Sequence, residues 1–218
     1  MPPSLKELTE SGGCVGCYAC RYACGNDSIS FRMDERGFRV ACVGDRDPGE
    51  RCERSCPQLH RTPDGKAMAA CYAVKAEPDV LSESSSGGAF TLLARWMLGR
   101  GGSVCGVGMS DDLTPTYMIA RDESSLESLR GSKFAFSSMD GIYGSISEEL
   151  GQGREVLFVG LPCQVQAVRN VFGENERLFT ADIICNGMPS EGVYRRYLEE
   201  LSREKRVAGL QFRSSDTH

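Results

Sequence analysis

Apolar and polar residues alternate twice in the first quarter of the chain, at Ser28-Ile29-Ser30-Phe31-Arg32-Met33 and at Phe38-Arg39-Val40-Ala41-Cys42. Between them lies Asp34-Glu35-Arg36-Gly37, a turn with a glycine free to take a positive φ, so the pair predicts a β-hairpin. Beyond residue 84 the period changes. Phe90, Leu93, Ala94, Met97 and Leu98 recur at helical spacing. Residues 103–107 and 117–120 then read as strands around a polar loop, with a short helix near 124–129 and an amphipathic helix over 142–150. The run Val156-Leu157-Phe158-Val159-Gly160 reads as a buried strand, and Pro162 as the first residue of a helix running to 172. A strand over 179–184 follows. Next comes a helix over 191–205, with Ser190 as its cap and Tyr194, Tyr197, Leu198 and Leu201 as its buried stripe. Leu210-Gln211-Phe212-Arg213 begins one more strand. Strands alternating with helices predict a mostly parallel sheet covered by helices. The expected fold class is α+β: a small N-terminal module over 1–75, then an α/β domain with a mostly parallel sheet over 76–218. Residues 58–83, with turns at Pro63-Asp64-Gly65 and Glu77-Pro78-Asp79, read as the connection.

Composition narrows the function without naming it. A chain of 218 residues with 40% hydrophobic content can bury an ordinary core. A net charge of -5 gives no basis for a nucleic acid or an anionic membrane as partner. No apolar run approaches the roughly 18 residues of a membrane span. Met1-Pro2-Pro3-Ser4-Leu5-Lys6-Glu7 has no apolar signal-peptide core, and a cytoplasmic protein is expected.

The cysteines change the picture. Seven of the eleven fall between residues 14 and 56, which in a chain without a signal peptide points to metal rather than disulfides. Cys14, Cys17, Cys20 and Cys24 stand in the order C-x2-C-x2-C-x3-C, the spacing with which bacterial ferredoxins hold iron–sulfur clusters, and Cys52 and Cys56-Pro57 return to meet them. Structural zinc is the alternative, although it usually pairs two C-x2-C knuckles. Ligand arithmetic gives one complete 4Fe-4S set: Cys14, Cys17, Cys20 and Cys56. Ferredoxin spacing asks for cysteines at 46 and 49, where Arg46 and Gly49 stand. Cys24 and Cys52, even with Cys42, are therefore one short of a second cluster. They would bind a three-iron cluster, take an outside ligand, or bind nothing. His60 and Cys71 are open to a spare-ligand reading, with a surface histidine and a packed cysteine the favoured one.

Two later stretches offer chemistry. Ser84-Ser85-Ser86-Gly87-Gly88 opens the helix at 89, where free N–H groups and hydroxyls suit a phosphate; a plain N-cap and turn fits as well. Cys163, in the first turn of its helix, is open to three readings: metal ligand, nucleophile with a lowered thiol pKa, or packed residue. Cys185 ends a neighbouring strand, and strand ends of a parallel sheet share the edge where α/β ligand sites lie. The two sulfurs are expected to approach each other there without forming a disulfide.

Taken together these words resemble the coenzyme F420 hydrogenase/dehydrogenase beta-subunit family of iron–sulfur flavoproteins. The resemblance rests on Cys14–Cys24 with Cys56-Pro57, on Ser84–Phe90, and on Gly131-Ser132-Lys133-Phe134. It rests also on Val156–Gln164 and on Asp182-Ile183-Ile184-Cys185-Asn186-Gly187-Met188-Pro189-Ser190. It implies an FAD-bearing α/β domain that passes electrons between iron–sulfur clusters and a two-electron acceptor, a deazaflavin or a nicotinamide, with a protein subunit as electron donor or acceptor. Ser85, Ser86, Gly87, Gly88, Ser132 and Lys133 become candidate flavin contacts, and Cys163 and Cys185 candidate ligands of an inner cluster. In the family that cluster is completed by a later Cys-x-x-Cys block, which this sequence does not contain. The other expectation is a non-catalytic ferredoxin-like relay whose α/β part docks a partner enzyme.

Overall fold

A computed structural model describes residues 3–25, 28–44, 47–61, 70–203 and 206–213. Helix α1 (Leu5–Glu10) starts at Ser4, whose hydroxyl accepts the Glu7 N–H while the Glu7 carboxylate accepts the Ser4 N–H. The cysteine loop leads into α2 (Ala19–Cys24), and the expected hairpin follows as β1 (Ile29–Met33) and β2 (Arg39–Val43), antiparallel with Phe31 opposite Ala41. Helix α3 (Glu50–Ser55) returns the chain to the loop. Leu5, Cys20, Ile29, Ala41, Cys52 and Cys56 form the core of this cysteine-rich module.

The second part comprises α4 (Pro78–Ser82), α5 (Ala89–Gly99), β3 (Ser103–Met109), β4 (Pro115–Ala120), α6 (Glu123–Glu127), α7 (Ile142–Gly151), β5 (Val156–Gly160), α8 (Pro162–Phe172), β6 (Leu178–Asp182) and α9 (Glu191–Ser202). The strands order as β4-β3-β5-β6. β3, β5 and β6 run parallel, and β4 pairs antiparallel with β3 at the edge, so the sheet is mixed and mostly parallel. The unbroken apolar run of β5 has a plain cause: both of its faces are covered. Val156 and Phe158 join a core with Ile146, Val165 and Val168 from α7 and α8, whereas Leu157 faces Ala94 and Met97 of α5. Cys17, Tyr18 and Ala19 belong to that first core, so the cysteine loop is packed directly onto the sheet's helices.

Three expectations are corrected. β6 stops at Asp182 because its partner does: β5 ends at Gly160, whose carbonyl accepts the Ile183 N–H at 3.1 Å, and the chain then turns into α8. Ile184 is 94% exposed. Residues 210–213 form no strand; instead the Arg213 guanidinium reaches back to the Ser85 carbonyl at 2.9 Å. In α9 only Tyr194 of the expected stripe is buried, and Tyr197 and Leu201 are exposed. The reason is local: α9 is held by its first turn, where Glu191 pairs with Arg39 and Gly192 lies against Gly37.

Candidate metal centre and cofactor cleft

The loop that carries Cys14, Cys17 and Cys20 is curled by two residues in the left-handed region, Gly16 (φ 62°) and Tyr18 (φ 61°). Glycine is required at 16 for a second reason, since a Cβ there would stand 2.5 Å from the Arg39 carbonyl oxygen. Tyr18 accepts its unusual backbone because its ring stacks on Phe31 at 3.9 Å. Curled in this way, the loop brings Cys14, Cys17 and Cys20 to one cavity with Cys56, which caps the end of α3. Leu5, Phe31 and Ala41 are among its apolar walls. The Cys14 sulfur accepts N–H groups from Gly16 at 3.4 Å and Ala41 at 3.3 Å.

The donor set fits a cationic core. Burial pushes the Cys20 thiol up to about 12, with the neighbouring Cys14 and Cys56 adding to the rise. Burial likewise raises Cys17 and Cys56. Three thiols that resist ionisation on their own need a bound metal to become thiolates. Tetrahedral zinc with bonds of about 2.3 Å would need its ligands drawn tightly together. Among the described residues no group of three His, Cys, Asp or Glu side chains is arranged to hold a metal ion as it stands. Between zinc and a cluster, the C-x2-C-x2-C spacing with a returning Cys-Pro favours the cluster.

Cys24 and Cys52 meet on the other side of α2 and α3, where they are joined as a disulfide with Cα atoms 5.2 Å apart. Cys42 is not brought to them. It sits on the β2 face opposite Ala41 and Val43, where its sulfur accepts the Arg32 Nε–H at 3.1 Å. Gly49 caps α3 with φ 85°, and Arg46 lies outside the described residues. Cys71 is exposed and Cys105 is fully buried in β3.

A cleft of about 530 Å³ opens between the turn before α5 and the loop after α6. That volume falls within the roughly 300–1,000 Å³ of small-molecule and cofactor sites. Ser85, Ser86, Ser132 and Lys133 line it, together with Arg130, Phe212 and Arg213. The Ser132 N–H donates to the Ser85 hydroxyl at 2.9 Å and so ties the two walls together. Gly87 and Gly88 are not lining residues. They allow the turn to pass the chain at 74–76, where a Cβ on Gly87 would come within 2.2 Å of the Val74 carbonyl oxygen. Lys133 donates to the carbonyls of Ser128 at 3.2 Å and Arg130 at 2.6 Å, and burial pulls its ammonium down to about 8. The Arg130 side chain is nearly buried, with ion pairs to Glu83, Glu123 and Glu127, yet among the described residues its Nε–H has no partner. A buried orphan donor and a partly desolvated lysine beside serine hydroxyls fit an anionic cofactor.

Cys163 stands second in α8, after Pro162, and feels the charge of Cys185 across the sheet edge; both are free thiols. The expected lowering of the Cys163 thiol does not hold. Burial, with Cys185 adding to it, pushes the thiol up. The Cys185 sulfur is exposed and accepts the Gly187 N–H at 3.4 Å. The turn that presents Cys163 is fixed by Gln164, whose side-chain oxygen accepts both the buried Tyr117 hydroxyl at 2.6 Å and the Leu161 N–H at 2.9 Å.

Sequence reasoning passed over Arg130, Arg213, Tyr117 and Gln164. The arginines are ordinary surface residues by local pattern. Tyr117 and Gln164 lie 47 residues apart with no spacing signal between them.

Comparison with known proteins settles the family. Residues 70–142 match the N-terminal part of the coenzyme F420 hydrogenase/dehydrogenase beta subunit, and residues 153–217 match its C-terminal part. The chain belongs to the coenzyme F420 hydrogenase/dehydrogenase beta-subunit family. It is 26% identical over 180 residues to the coenzyme F420-dependent sulfite reductase of Methanocaldococcus jannaschii, covering 77% of this chain and 26% of that protein. It is 22% identical over 185 residues to one of the F420H2 dehydrogenase subunits of Methanosarcina mazei, covering 78% and 51%. The chain thus spans between a quarter and a half of the length of these curated relatives. A solved structure of the F420-reducing [NiFe] hydrogenase complex from Methanosarcina barkeri aligns with a TM-score of 0.49 and 21% identity, over 58% of this chain and 47% of the matched chain. Among the described residues no helix is long and apolar enough to cross a membrane.

Proposed function

We propose that this beta-subunit family member is an electron-carrying oxidoreductase subunit. Cys14, Cys17, Cys20 and Cys56 hold a 4Fe-4S cluster, and the cleft of Ser85, Ser86, Ser132 and Lys133 holds FAD. Cys163 and Cys185 are half of the ligand set of an inner cluster. The observation that carries the reading is the single cavity ringed by four buried or half-buried thiols, which local spacing and tertiary packing assemble together.

A bound flavin supplies the exchange between single electrons and electron pairs that a deazaflavin acceptor requires. The chain's own residues bind and tune. The amides of Gly16 and Ala41 stabilise negative charge on the Cys14 sulfur, and the apolar walls exclude water, two of the levers that set a cluster's potential. Lys133 and the Arg130 Nε–H, which has no partner among the described residues, offer charge and a donor to a pyrophosphate, and the bond from Ser132 to Ser85 holds the cleft at one width. A partner subunit supplies or removes the single electrons, and a cytoplasmic location follows from that role.

The absorption spectrum of anaerobically purified protein, with iron, zinc and extracted flavin quantified, tests the reading. Flavin bands on a broad cluster shoulder, with about four irons per chain from the leader, are expected. A colourless zinc protein would overturn the cluster, and a shoulder without flavin would leave a relay that docks a partner.

A further inference from the structure

A ferredoxin spacing would make Cys24 and Cys52 ligands of a second cluster, but among the described residues no group of three metal-ligating side chains includes them. Gly49 occupies one of the two vacant ligand positions, and Cys42 is turned to the far face of β2 against Arg32. What remains is a pair of sulfurs already bonded to each other, linking the last residue of α2 to the middle of α3. The environment also suits the opened pair. Both sulfurs lie against the Pro48 carbonyl oxygen, at 3.5 Å for Cys24 and 2.8 Å for Cys52, an acceptor of use only to an S–H group. Access is unequal: Cys52 is 1% exposed, whereas Cys24 is half-buried at the helix end.

We propose that Cys24 and Cys52 form a dithiol–disulfide couple, a thiol-redox site standing where a second cluster would be. Opening begins at the accessible sulfur. A thiolate of a small dithiol attacks Cys24 Sγ, the bond to Cys52 breaks, and Cys52 leaves as a thiolate that takes up a proton. The second thiol of the reductant then displaces Cys24, which is protonated in turn, and the reductant departs as its cyclic disulfide. Two electrons and two protons pass to the pair. A low-molecular-weight disulfide such as oxidised glutathione runs the exchange backwards and leaves as two thiols. In a reducing compartment a disulfide of this kind is a sensor rather than a permanent staple. Its state bears on the neighbouring site, because α2 carries Cys20 and α3 ends at Cys56. Opening the pair frees these two helices from each other and loosens the cavity.

The full chain is equilibrated anaerobically with oxidised glutathione or with dithiothreitol, alkylated and digested for mass spectrometry. After oxidised glutathione, the peptides of Cys24 and Cys52 are expected linked, lighter by two hydrogens than the reduced pair. After dithiothreitol both are expected alkylated. Cys24→Ser and Cys52→Ser should each keep the iron content of the wild type, and dithiothreitol should speed iron loss to a chelator several-fold in the wild type but not in Cys24→Ser. Free alkylation of both cysteines after oxidised glutathione would overturn the proposal, as would loss of iron in both variants. The peptide mapping requires no iron, so failure of the cluster reading and failure of this one remain distinguishable.

Discussion

The Tyr143 hydroxyl donates to the backbone carbonyl of Cys17 at 2.8 Å, 126 residues away in sequence, and so pins the cysteine loop to the helix layer of the sheet. Both groups are buried, and Tyr143 also stacks on Tyr22 at 5.4 Å. The loop is therefore held by the α/β core as well as by its own glycines.

Tyr143→Phe keeps the ring and leaves the Cys17 carbonyl without its donor. A loss of about 1–1.5 kcal/mol in stability is expected from a buried hydrogen bond of this kind. Denaturant unfolding measures it, and iron release to a chelator should quicken in parallel. Unchanged stability would mean that water replaces the hydroxyl.

Gly37 and Gly192 touch backbone to backbone, with the Gly192 N–H donating to the Gly37 carbonyl at 2.9 Å. A Cβ on Gly37 would stand 2.8 Å from the Gly192 Cα, and its φ of 80° disfavours any side chain. Gly37→Ala should cost at least about 1–2 kcal/mol from the left-handed backbone alone. The thermal midpoint reports the cost, and limited proteolysis should show α9 released first.

Glu149 is fully buried at the end of α7. Burial alone would raise its carboxyl, but hydrogen bonds from Arg154 at 2.7 Å and Arg121 at 3.0 Å outweigh that and bring it to about 2. A carboxylate held below its ordinary value of 4.5 stabilises the fold above that pH, and the contribution fades as pH falls from 4.5 toward 2. Glu149→Gln should lower stability by on the order of 1–3 kcal/mol at pH 7. It should also flatten the acid limb of a stability–pH curve; an unchanged limb would remove Glu149 from the acid response.

Lys133→Glu should weaken FAD by roughly tenfold or more, since reversing a charge beside a phosphate is worth more than ~1.4 kcal/mol. The fold should persist, because among the described residues the ammonium's hydrogen bonds go to two backbone carbonyls and to no side chain. With its ammonium at about 8 in the free cleft, wild-type affinity should fall as pH rises through that value. Fluorescence titration with FAD at several pH values measures both effects. Wild-type affinity in the variant would exclude Lys133 from the site.

Periodicity and spacing alone determined much of this protein: the hairpin of β1 and β2, the helices α5, α7 and α8, the doubly buried β5, and the cysteine pattern with its shortage of ligands for a second cluster. These features are local, since alternation, helical spacing and C-x2-C steps act over a few residues. Tertiary structure decided the rest. It turned Cys42 away from Cys24 and Cys52, because a strand sends successive side chains to opposite faces. It raised the Cys163 thiol, because burial outweighed the helix start. It left Tyr197 and Leu201 of α9 uncovered, because a helical stripe is buried only where another element arrives to meet it. It also brought Arg213 to Ser85 across 128 positions, a contact that no periodicity encodes, because chain packing brings remote segments together.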